Sequence, residues 1–175
     1  MSNSADYIEN ILLKTLDEFF KDIQKVKWVG REREAISLFA FQYLTEKCKI
    51  NTPLSSKSQI SIESAVPQIR LTKYSKSVVN KDLVIWPKSF QTVWNQNYTV
   101  NNYPLAIMEW KLTSPLSKSR GNDPKVTSTD IQWLKNFSVF IKEFVGISVL
   151  MNLFIDGTVK TQLNINRDCV VKKIK

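Results

Sequence analysis

The run "GISVLMNLFI" at residues 146–155 constrains the fold most. Its apolar residues fall on both faces of any strand built from it, so a sheet alone cannot shelter it. Such a strand belongs in the middle of a sheet with helices packed against it. The chain supplies three amphipathic patterns for that cover. Residues 4–25 place Tyr7, Ile8, Ile11, Leu12, Leu16, Phe19, Phe20 and Ile23 at helical spacing, with Ser4 as N-cap and a break at Gly30. Residues 31–47 bury Ile36, Phe39, Ala40, Tyr43 and Leu44. Residues 129–145, capped by Thr127, Ser128 or Thr129, carry an apolar face wide enough for deep burial.

Four further segments have strand character: "QISIESAV", "KDLVIW", "YPLAIMEWKL" and "TVKTQLNI". The order is helix, helix, three strands, helix, two strands. This predicts an α/β protein, an α+β mixed sheet with helices on it. At 175 residues it forms one domain, 1–175, with a helical N-terminal extension at 1–30 and a core at 31–165. The strands "KDLVIW" and "YPLAIMEWKL" are expected to pair antiparallel across a polar insertion at 88–102.

Chemistry is limited first by what is missing. The chain has no histidine, which removes Ser-His-Asp and Cys-His catalysis, histidine-containing zinc sites and histidine-based nuclease mechanisms. Cys48 and Cys169 form no metal-spaced cluster and fit a reducing compartment. Asp6, Glu9, Asp17 and Glu18 interrupt the N-terminal apolar residues, so no secretory signal is expected. A cytoplasmic protein without a membrane span is the expectation. The net charge is +9, which serves solubility or a polyanionic partner equally.

One pair of charges stands out. Glu109 and Lys111 lie two residues apart in "AIMEWKL", so they share a strand face with Ile107. Alone, such a pair is an ordinary salt bridge. Asp82 opens the preceding strand, and hairpin pairing would bring it toward Glu109. Two carboxylates that close repel unless a cation lies between them, and Mg²⁺ suits hard oxygen ligands. A lysine beside them would serve a bound water or phosphate.

The pattern resembles the PD-(D/E)XK nuclease superfamily, with its restriction-endonuclease-like core of helix, three-strand meander, helix and strand. Asp82 in "KDLVIW" matches the family's Asp, and "MEWK" matches its E-x-K. "GREREAI", "TDIQWLKNF" and "GISVLMNLF" are similar to segments of archaeal Holliday-junction resolvases. The resemblance covers roughly residues 31–156, with Lys81 where the family has proline and a longer link between Asp82 and Glu109. It implies a Mg²⁺-dependent DNA endonuclease, with Mn²⁺ able to substitute. Asp82, Glu109 and the carbonyl of Trp110 would hold metal, and Lys111 and Glu32 would assist. Glu34 and Glu63 are the alternatives to Glu32. The other outcome for the same fold is a catalytically inactive module that binds nucleic acid or a protein.

Basic residues flank both strands: Lys73, Lys76, Lys81 and Lys88 on one side, and Lys118, Arg120 and Lys125 on the other. Together they suit a phosphate backbone; singly each is an ordinary solvated side chain. Trp86, Trp94 and Tyr98 are candidates for base stacking, the last two foremost. Helix 4–25 either pairs with a second copy or packs on its own domain.

Overall fold

The computed structural model describes residues 3–69, 77–116, 128–154, 156–167 and 170–174. Lys73, Lys76, Lys118, Arg120, Lys125, the cap candidate Thr127 and Cys169 lie outside them.

Helix α1 spans Ser4–Lys25. Its cap is Asn3 rather than Ser4: the Asn3 side chain accepts from the Ala5 N–H at 3.1 Å. The helix ends before Gly30. Lys27 takes the left-handed turn, with φ 51°, and the Trp28 N–H reaches back to the Ile23 carbonyl at 2.9 Å. Helix α2, Glu32–Leu38, continues into one widened turn at Phe39–Tyr43 and a tight turn at Leu44–Lys47. The predicted helix 31–47 is thus continuous in path but changes its winding.

Among the described residues six strands follow in one sheet, ordered as they occur in the chain. They are β1 (Ile60–Pro67), β2 (Val78–Ile85), β3 (Ala106–Thr113), β4 (Val145–Leu153), β5 (Val159–Arg167) and β6 (Val170–Ile174). β3 and β4 are parallel, and every other neighbouring pair is antiparallel. β6 falls in the basic tail, where no alternation of apolar residues announces a strand. Helix α3, Ser128–Phe140, makes the crossover between the parallel strands. It stops five residues before the predicted end. Glu143, with φ 65°, turns the chain so that Phe144 and Val145 enter the core at the start of β4.

The two faces of the sheet bury different clusters. α1 and α2 cover Leu83, Ile85, Met108, Trp110, Ile147 and Val149. α3 covers Val84, Trp86 and Ile107 with Leu134, Phe137 and Phe144. β4 is buried along the α1 and α2 side; on the other side Gly146 and Ser148 are buried, and Leu150 and Asn152 are half-buried. α1 places Ile8, Leu12, Leu16 and Phe19 in its own domain's core at no exposure, which leaves that face unavailable to a second copy. Phe19, Phe39 and Trp110 meet as one aromatic cluster, with ring centroids 5.3–6.1 Å apart. That cluster ties both N-terminal helices to the middle of β3. Among the described residues no helix is long and apolar enough to cross a membrane.

Candidate functional site

The predicted acids converge where the sheet forks. β2 and β3 pair only at Leu83↔Met108, Val84↔Ile107 and Ile85↔Ala106. Beyond Met108 the two strands part. The cause lies in the β1–β2 hairpin, whose facing alternates regularly up to Ile62 and Leu83 and then changes. Glu63 adopts φ 48° at that point, and past it Ala65, Val66, Val78 and Val79 pack toward α3. Gln68 accepts a hydrogen bond from the Trp133 indole at 2.9 Å, fastening the hairpin to α3.

The fork leaves the β2-facing edge of β3 without a strand partner. N–H groups on one edge recur at alternate residues, and carboxylates serve two of them here. The Trp110 N–H donates to Asp82 Oδ2 at 2.7 Å, and the Leu112 N–H donates to Glu32 Oε2 at 2.9 Å. By strand geometry the carbonyl of Trp110 belongs to that same edge.

Glu109 lies deeper. It is 7% exposed and forms an ion pair with Lys81, which is 6% exposed. Burial pushes the Glu109 carboxyl up; the Lys81 ammonium opposes this, the Asp82 carboxylate beside it adds to it, and the result is about 7. Ser148 is its register partner on β4, and the buried Ser148 hydroxyl has no hydrogen-bond partner among the described residues. Lys111 sits at the half-exposed mouth, 3.9 Å from Glu32 Oε1. Burial raises the Glu32 carboxyl too, against the pull of the Leu112 N–H and Lys111, while Asp82 and Asp130 raise it further.

The structure thus brings Asp82, Glu109, Lys111 and Glu32 to one place. It separates the alternatives. Glu34 closes a capping interaction with the Arg31 N–H at 2.7 Å, and Glu63 pairs on the surface with Arg33. Two expectations are corrected. Lys81 cannot meet a nucleic-acid backbone, because it is enclosed between Glu109 and the Trp133 ring. Trp86 has no exposed face for a base. Trp94 and Tyr98 are exposed at 43% and 87%, and Lys88 is exposed as well. The role of Lys81 inside the site was not legible as such. Its chain neighbours, Asn80 and Asp82, are polar and give no sign of burial.

The donor set bears on metal binding. Among the described residues no group of three or more His, Cys, Asp or Glu side chains is gathered closely enough to hold an ion. Asp82 and Glu109 remain, two hard-oxygen donors held against each other. Mg²⁺ is commonly bound by one or two carboxylates with water and substrate oxygens completing its shell, so this pair fits it. No protein family profile, characterised protein or solved structure matches the chain.

Proposed function

We propose that the protein is a Mg²⁺-dependent nuclease of the PD-(D/E)XK type, acting on DNA in the cytoplasm. The observation that carries this reading is the meeting of Asp82, Glu109, Glu32 and Lys111 at a fork between adjacent strands. Four charged side chains from three elements converge there. Asp82 and Glu109 would hold the ion, with the Trp110 carbonyl on the same edge. The bound ion supplies Lewis acidity toward the phosphate and lowers the pKa of its water. Lys111, half-exposed at the mouth, orients the attacking water and stabilises charge developing on the phosphate. Glu32 holds that ammonium in place at 3.9 Å. The overall charge of +9 favours a polyanionic substrate.

The test is cleavage of plasmid, branched DNA, single strands and RNA with Mg²⁺ or Mn²⁺. Asp82→Asn, Glu109→Gln and Lys111→Ala should each reduce cleavage by about 100-fold or more. Absence of cleavage on every substrate, or undiminished cleavage by these variants, overturns the reading.

One observation favours a second reading, a non-catalytic module of the same architecture. Every charge in the fork already has an internal partner: Asp82 on Trp110, Glu32 on Leu112 and Lys111, and Glu109 on Lys81. Salt-dependent nucleic-acid binding that is indifferent to Mg²⁺, without cleavage, would favour it.

A further inference from the structure

Lys81 has no part in the chemistry above, yet it is the most enclosed cation in the fork. Its side chain is 6% exposed, against 31% for Lys111. A lysine so buried needs partners, and it has two. Its ammonium contacts Glu109 Oε1 on one side and lies 3.9 Å from the centre of the Trp133 ring on the other. The indole is itself held, by the bond to Gln68 and by stacking on Phe137 with centroids 4.9 Å apart. A cation is thus clamped between a carboxylate and a fixed π-face. The long flexible stem of lysine lets the head move between them.

We propose that Lys81 is a resident cation of the site: it neutralises Glu109 while no divalent ion is bound, competes with that ion for Glu109, and moves toward the Trp133 face when the ion enters. This rests on the reading of Asp82 and Glu109 as a divalent-cation site. The same oxygen cannot face an ammonium and a divalent ion without strong repulsion between the two. The two lysines then divide the work. Lys81 governs occupancy from within, as a positioning residue, and Lys111 faces the substrate.

The test is Mg²⁺ binding at pH 8 by titration calorimetry, which needs no turnover. Lys81→Met keeps an unbranched stem one atom shorter and removes the charge, and its affinity should rise at least about tenfold. Lys81→Arg, which keeps the charge, should stay near wild type. Equal or weaker binding by Lys81→Met, with binding still abolished in Asp82→Asn, overturns the proposal and leaves the divalent site standing. Binding by neither wild type nor Lys81→Met removes the site and the proposal together. Should Lys81→Met fail to fold, tryptophan emission of the wild type gives a second readout. Saturation with Mg²⁺ should change it, and Trp133→Phe should abolish that change. Unaltered wild-type emission at saturation overturns the proposal.

Discussion

Among the described residues Glu109 carries the largest pH consequence. Its carboxyl stands near 7 in the folded chain against an ordinary 4.5. Between those values the folded state binds the proton more tightly than the unfolded chain does. The associated stability is present in full below about 4.5 and is lost as pH rises through about 7. Urea midpoints should therefore fall between pH 5 and pH 8, by an amount equivalent to roughly 1–3 kcal/mol. Glu109→Gln, which resembles the protonated carboxyl, should flatten that slope. Glu32 titrates in the same direction and accounts for part of the slope that remains. Its other duty is structural: Glu32→Ala leaves the Leu112 N–H without its acceptor and should cost about 1–3 kcal/mol in chemical denaturation. Glu32 was separable from Glu34 in the sequence because helix phase puts it on the face of Ile36. The ion pair of Lys81 was not, since strand alternation assigns Lys81 the face of Leu83, and only the change of facing at Glu63 moves it toward α3.

The elements themselves follow hydrophobic period closely where burial is one-sided or complete, as in α1, β3 and β4. They depart from it where a local device intervenes. Lys27 ends α1 through a left-handed turn, a conformation that its residue type does not advertise. α3 is shorter than its apolar stripe because that stripe continues past the helix into the turn, where Phe144 fills the core from non-helical backbone. β6 carries no alternation and forms as the antiparallel neighbour of β5. The contact of α3 with β4 is tight at one place. A Cβ on Gly146 would lie 3.2 Å from both Leu134 Cβ and Phe144 Cε1. Gly146→Ala should push α3 outward and destabilise by about 1–3 kcal/mol, read as a lower urea midpoint with little change in slope.

For the whole molecule, the class of fold was readable because one strand apolar on both faces and three amphipathic helices admit few arrangements. The fork was not, because it depends on where a hairpin leaves a sheet, and no periodicity records that. The carboxylate of Glu32 reaches the Leu112 amide across 80 residues of chain. The β4–β5 hairpin closes between Leu153 and Val159, only six residues apart. Loop-closure entropy separates the two events by roughly 2 kcal/mol. The fork is therefore expected to assemble late in folding, after the hairpins have formed. In pulse-labelled refolding, the Trp110 and Leu112 amides should gain protection after those of β4 and β5. Simultaneous protection would mean that α2 docks on β3 before the local hairpins close. Late assembly would leave a nascent or partly unfolded chain without a formed site, so that any activity housed at the fork would arise only in molecules that had finished folding.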